Sequence, residues 1–327
     1  MPLTARCHLV LPLLVLALLS ACGGGGSTGS APAATTSTTT TGSFDTSAYP
    51  AAPASVGNVA ADGRNWINYR RSQLGVAALL QNAQVNQAAQ NHSDYQRLNN
   101  TVTHDEESGK AGFTGVGLDA RLASAGYQLS RTGFVYGEII SATSNTSGFF
   151  MAEELVTAIY HRFVMFEPVL KEIGTGLSTN ASKYSYFTAD LVASNGLGPG
   201  LGRGKLAVWP FNGQSAVVPN FFSDQEEPDP VAGIDEVGYP ISVHADAGAI
   251  VLVSSFTVRP RNGGNLTVKL LQRTLDDKSP LTDLKTQRST AAIIPLSRLA
   301  AATVYDVAFS GTVDGVPVSL SWSFTTR

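Results

Sequence analysis

The chain has 327 residues, 43% of them hydrophobic, which is enough material for two domains with cores of their own. A net charge of -3 and only 14% charged residues leave no basic footprint, which argues against nucleic acid as a partner. The two cysteines, Cys7 and Cys22, both stand near the N-terminus, so the body of the chain has neither a disulfide nor a cysteine nucleophile.

Arg6 precedes an apolar run over 9–19, eleven residues long and too short to span a bilayer. The run ends in Leu19-Ser20-Ala21-Cys22, which resembles the bacterial lipoprotein box. Residues 1–22 therefore predict an export signal, and the resemblance implies that Cys22 becomes a lipid-modified N-terminus. Gly23 follows where Asp would favour the inner membrane, so by analogy the expected location is the outer membrane or cell surface. Residues 23–58 are rich in Gly, Ser, Thr and Ala and lack apolar periodicity, which makes them a flexible tether. A coil of that length reaches on the order of 30–35 Å root-mean-square.

The first folded unit is expected over 59–195. Asp62 is placed to cap a helix carrying Trp66, Ile67, Arg70 and Leu74, with Gly75 ending it. A second helix from Asn82 sets Val85, Ala88, Ala89, His92 and Tyr95 on one face, which makes His92 a core histidine with a satisfied partner. His104-Asp105-Glu106-Glu107 reads as a solvated acidic loop, because no D-x-D-x-D-G spacing marks a calcium site. A short helix over 118–125 closes at Gly126, and 134–141 suits a strand carrying Glu138. A helix is predicted over 151–166 with His161 near its end, followed by strands over 171–179 and 183–194.

Residues 196–236 are rich in Gly and Pro and read as a linker. No register of its glycines satisfies G-x-G-x-x-G, and Gly204-Lys205 is followed by Leu206 rather than Ser or Thr, so it is not a phosphate loop. From 237 to 327 the pattern is all-β. Val318, Leu320, Trp322 and Phe324 alternate with polar residues, and Tyr305, Val307 and Phe309 form the hairpin partner across Asp314-Gly315. Earlier strands fall over 240–244, 249–258, 266–272 and 291–296. Seven or so short strands suit an immunoglobulin-like sandwich, and the ending Trp322-Ser323-Phe324-Thr325-Thr326 resembles that of bacterial Ig-like modules. His244, alone among these strands, is read as structural.

His104, Glu138 and His161 carry the chemical interest. Glu138 lies in an apolar strand, where a charge is costly unless paired or liganded. Two imidazoles and a carboxylate brought together would form either a metal site or an acid–base cluster. Left apart, they are three unrelated polar residues on loops and helix ends.

Five short stretches occur in an order that resembles the CAP superfamily (cysteine-rich secretory proteins, antigen 5, pathogenesis-related 1) in its bacterial form. They are Asn86-Gln87-Ala88-Ala89-Gln90-Asn91-His92-Ser93, His104, Ala125-Gly126-Tyr127, Gly137-Glu138-Ile139-Ile140, and His161-Arg162 with Glu172-Ile173-Gly174-Thr175-Gly176. The resemblance implies an α+β chain: a CAP-type α-β-α sandwich, followed here by the all-β Ig-like sandwich. It also implies a cleft in which His104, Glu138 and His161 meet. In the family the second glutamate of the His–Glu–Glu–His set stands three residues after a tryptophan; the resemblance puts those positions at Ala158 and Leu155 here, so the glutamate is missing, and Glu154 is out of register.

Three functional readings follow. The first is a membrane-tethered envelope lipoprotein whose CAP cleft binds a divalent metal, a lipid or a protein partner without catalysis. The second is a metal-dependent hydrolase, with zinc or another divalent ion on His104 and His161 and Glu138 as base or third ligand. The third is an adhesion or spacer protein acting through the Ig-like module. Neither G-x-S-x-G nor S-x-x-K occurs, so nucleophilic catalysis has no support. If Cys22 carries the lipid, Cys22→Ser should move the protein from the membrane to the soluble fraction on cell fractionation.

Overall fold

The computed structural model describes residues 51–327, together with the backbone of Cys7–His8, which pairs in parallel with Glu226–Glu227. The expected export signal apart from Cys7–His8, the expected lipidation site Cys22 and the expected tether up to residue 50 lie outside the described residues. Among the described residues no helix is long and apolar enough to cross a membrane.

Helix α1 (Val59–Leu74) is capped by Asn58, whose side chain accepts the Ala61 N–H at 2.9 Å. Asp62, the expected cap, sits inside the first turn instead and accepts from Ser55 Oγ (2.6 Å) and the Val56 N–H (2.8 Å). Gly75 ends the helix with φ of 84°, a left-handed conformation that suits glycine. Strand β1 (Leu80–Gln81) leads to α2 (Ala83–Asn99), whose cap is Asn82 and whose buried stripe includes Val85, Ala88, Ala89, His92 and Tyr95. Helix α3 (Leu118–Ser124) and strand β2 (Val135–Thr143) follow.

The predicted helix over 151–166 is two helices, α4 (Gly148–Thr157) and α5 (Ile159–Met165), broken at Ala158 with ψ of 118°. The break exposes fresh N–H groups, and Glu226 accepts those of Ile159 and Tyr160 at 2.8 and 2.6 Å. Neither Gly nor Pro marks the position, so local sequence carries no sign of it.

Strands β3 (Glu172–Thr179) and β4 (Ser185–Ala193) complete a four-stranded sheet of order β1-β3-β4-β2. Residues directly opposite one another share a face, so Glu138, Asp190 and Gly174 look one way and Gly137, Leu191 and Ile173 the other. On the first face α2 lies so close that a Cβ on Gly174 would stand 2.1 Å from the Val85 backbone. On the other, a Cβ on Gly137 would stand 2.5 Å from Val164 of α5, and Thr175 Oγ1 donates to Ala60 of α1. The sheet therefore has α2 on one face and α1 and α5 on the other.

The C-terminal part begins earlier than its composition suggests. Strands β5 (Ala207–Trp209) and β6 (Gln214–Val217) fall within the predicted linker, yet each joins a sheet; β7 (Asn220–Phe222), β8 (Glu226–Glu227) and β9 (Glu236–Gly238) continue the segment. Prolines 210 and 219 lie between these short strands and do not interrupt them. Next come β10 (Ile241–His244), β11 (Val251–Pro260), β12 (Val268–Gln272), β13 (Thr290–Pro295), β14 (Val304–Val313) and β15 (Val316–Thr326). Two four-stranded sheets result, β12-β13-β10-β5 and β11-β14-β15-β6. Asp314 and Gly315, at φ of 51° and 75°, make the expected two-residue turn between β14 and β15.

The two parts share one continuous apolar core. Trp209 meets Phe166 edge-on at 5.0 Å and lies 2.9 Å from the Tyr239 hydroxyl through its indole N–H. Arg162 is buried with Nη1 on the Pro240 carbonyl at 2.7 Å and its guanidinium 4.9 Å over the Tyr239 ring. His244 packs edge-on against Phe163 and Phe166 and bonds Ser242 through Nε2 at 2.9 Å. Burial holds its pKa well below the ordinary value, so it is a neutral structural residue as expected. Glu167 crosses the same boundary, accepting the Ala247 N–H at 2.8 Å.

Burial pushes the Glu167 carboxyl up to about 7. Its folded pKa thus lies above the unfolded value, so its contribution is fully present at low pH and is lost as pH rises through about 7. Urea unfolding is expected to show stability falling between pH 5 and pH 8 by up to about 3 kcal/mol from this group. Glu167→Gln should flatten that slope while keeping the Ala247 contact.

Candidate functional site

The site is built on the α2 face of the sheet. His104, in the loop between α2 and α3, places Nδ1 2.7 Å from Glu138 Oε1. The second oxygen of Glu138 accepts from Arg121 Nη2 at 2.6 Å. Arg121, on α3, also donates through Nη1 to the carbonyls of His104 (2.6 Å) and Val116 (3.0 Å), so one guanidinium binds both the carboxylate and the loop. All three side chains are buried. Burial alone would raise the Glu138 pKa, but the Arg121 charge, then His92 and His104, outweigh it and hold the group well below the usual carboxylate range. The Arg121 pKa rises in turn, the Glu138 charge and hydrogen bond overcoming the desolvation that lowers it.

His92 is fully buried with both ring nitrogens engaged, Nδ1 3.0 Å from Glu106 Oε1 and Nε2 2.7 Å from the Thr103 carbonyl. It is a core histidine with satisfied partners, as read from its stripe. Its Nε2 also lies 3.8 Å from Glu138, which ties it to the site. The loop is less solvated than expected. Asp105 and Glu107 are exposed, but Glu106 is buried and accepts the N–H groups of Thr114 (2.5 Å) and Gly115 (3.3 Å). Desolvation raises its pKa, but the His92 and Thr114 bonds more than offset that and leave it below the ordinary value.

His161 does not join His104 and Glu138. It lies on α5, which packs against the opposite face of β2 at Gly137, and its Nδ1 is 3.1 Å from Glu226 Oε1. Among the described residues no ion pair within 4.0 Å links His161 to Glu138, whereas His104 and Glu138 are in direct contact. The expected three-residue cluster is thus two pairs, His104–Glu138 and His161–Glu226. Ala158, at the position of the missing second glutamate, and Leu155, at that of the tryptophan before it, are buried apolar core. Glu154 bonds Ser141 Oγ on β2, and burial raises its pKa to about 7.

The residues as placed do not fit a divalent ion held by His104, Glu138 and His161. Both Glu138 oxygens are taken, one of them by a guanidinium that would repel a cation, and the His161 Nδ1 faces Glu226. Among the described residues no group of three or more His, Cys, Asp or Glu side chains is disposed to hold a metal.

Three residues escape a reading by spacing: Arg121 and Asp190 at the site, and Glu226 beside His161. Asp190 left a usable sign, a lone acid within a wholly buried strand. Arg121 and Glu226 left none, because each sits in an ordinary polar context and is buried only by tertiary packing.

Residues 65–191, covering most of the helices and the sheet that carries Glu138, match the cysteine-rich secretory protein family, CAP. The match ends before the C-terminal β strands. Among solved structures the chain is similar to an extracellular protein with an SCP domain from Bacillus anthracis, at 19% identity and a TM-score of 0.36 over 42% of this chain and 40% of that one. It is also similar to an outer surface protein of Borrelia burgdorferi, at 14% identity and a TM-score of 0.33 over 40% of this chain and 90% of that one. The chain thus spans about two fifths of the Bacillus anthracis protein's length. No curated protein matches it.

Removing Arg121 would strand Glu138 as a buried charge. Arg121→Met is expected to cost about 3–5 kcal/mol in urea unfolding at pH 7. Arg261→Met, which breaks an exposed pair with Asp306, should change stability little.

Proposed function

We propose that this is an exported envelope protein, tethered through Cys22, whose CAP domain is a non-catalytic binding module. The observation that carries this reading is the saturation of Glu138. With His104 on one oxygen and Arg121 on the other, the carboxylate is neither a free base nor a free ligand, and hydrolysis of the kind considered from sequence requires one or the other. In this reading the network has a different task, which is to hold the loop between α2 and α3 rigidly on the sheet. Leu98, Phe113 and Val116, on and beside that loop, remain exposed. Such an apolar surface on a fixed backbone suits a lipid or protein ligand better than a metal ion. Residues 207–327 are read as the Ig-like module, supported by two four-stranded sheets closed by a long hairpin.

Calorimetric titration of the exported protein with zinc at pH 7.5 tests the reading. No heat that depends on His104 or His161 is expected. A one-to-one zinc site abolished by both His104→Ala and His161→Ala would overturn it.

A further inference from the structure

Asp190 belongs to the buried network, yet nothing above gives it a task. It lies on β4 directly opposite Glu138 of β2, with Gly174 opposite it on β3, so the two carboxyl groups share one face of the sheet. It is wholly buried, and neither of its oxygens accepts a hydrogen bond among the described residues. That is an unusual state for a carboxylate, since an ionised group in such a place needs donors. The donors nearby make no bond to it, and the Arg121 Nε–H is itself left without a partner among the described residues. Arg121 serves Glu138 and two loop carbonyls, and His104 Nδ1 faces Glu138.

We propose that Asp190 is a neutral carboxylic acid at physiological pH that donates its proton to Glu138, so the sheet holds an acid–carboxylate pair across strands β4 and β2. Asp190 is then a positioning residue. It supplies Glu138 with a further donor and fixes the carboxylate against which His104 and its loop are docked. The charged and titratable groups around the pair come from four elements. They are Arg121 from α3, His92 from α2, His104 and Glu106 from the loop, and Glu138 from β2; β3 contributes only Gly174 at this level. Desolvation, then the Glu138 charge, push the Asp190 carboxyl well above its ordinary range, with Arg121 pulling the other way. The arrangement resolves two acids facing one guanidinium by keeping one acid protonated. The inference goes beyond the binding reading and does not depend on it.

Carbon NMR of the protein labelled only at aspartate side-chain carboxyls tests this, because the buried glutamates with raised pKa values are then silent. One resonance is expected at the protonated position at pH 7, unchanged from pH 5 to pH 8, and absent from Asp190→Asn. The asparagine amide can donate to Glu138 in the same way, so that variant should keep a melting midpoint near that of the parent. Asp190→Ala, which removes the donor, should melt lower. A spectrum of the parent in which every aspartate is ionised at pH 7 would overturn the proposal, and it does so whether or not either variant folds. A protonated resonance that persists in Asp190→Asn would overturn the assignment to Asp190.

Discussion

The buried Arg121–Glu138 contact is the constraint on which the N-terminal unit depends. A carboxylate on the α2 face of a sheet, wholly removed from water, can be kept only if cations and donors come to it. Three separate pieces of chain do so: α3 brings Arg121, the loop brings His104, and α2 brings His92. Each arrives with a backbone obligation of its own. Arg121 bonds two loop carbonyls, His92 bonds Thr103, and Glu106 gathers Thr114 and Gly115. The loop between α2 and α3, polar and without regular structure, is thereby bonded to α2, to α3 and to the sheet.

A second buried carboxylate performs the analogous task between the two parts. Glu226 accepts from Ile159, Tyr160 and His161 where the helical run breaks, so the C-terminal part completes the hydrogen bonding of a helix in the N-terminal part. The same boundary holds Trp209 on Phe166, Arg162 over the Tyr239 ring, and His244 against two phenylalanines. An isolated N-terminal unit would leave α5 with unsatisfied N–H groups and a buried guanidinium without its acceptor at Pro240. The β strands that follow are therefore part of what makes the α+β unit stable.

Most of the elements were legible in the sequence because their signals are local. The Asn82 start of α2, the Gly75 stop of α1, the Asp314-Gly315 turn and the alternation of the last strand all depend on neighbours within a few residues. The linker reading of 196–236 failed for a physical reason. Strands of three and four residues are too short to show periodicity, and β5 and β6 exist only because β10 and β15 offer them edges. The division of the predicted helix over 151–166 was illegible for a similar cause, since the acceptor of the Ile159 N–H freed at the break lies 67 residues downstream in Glu226.

The site shows the same division between residue type and partner. That Glu138 needed a cation was readable from its apolar strand, and that His104 is one of its neighbours followed from the family pattern. Which cation dominates was not readable, because Arg121 looks like any helical surface arginine until α3 turns it inward. His161 is the sharper case. Its place directly before Arg162 resembles the family's His-Arg, yet it lies on α5, which packs on the face of β2 that Glu138 does not use, and an acid from beyond the matched segment pairs with it instead. An imidazole and a carboxylate at familiar spacings thus fix which residues are expensive to bury. The partners that neutralise them are set by the packing of whole elements, and in this chain one of those partners, Glu226, lies beyond the segment that matches the family.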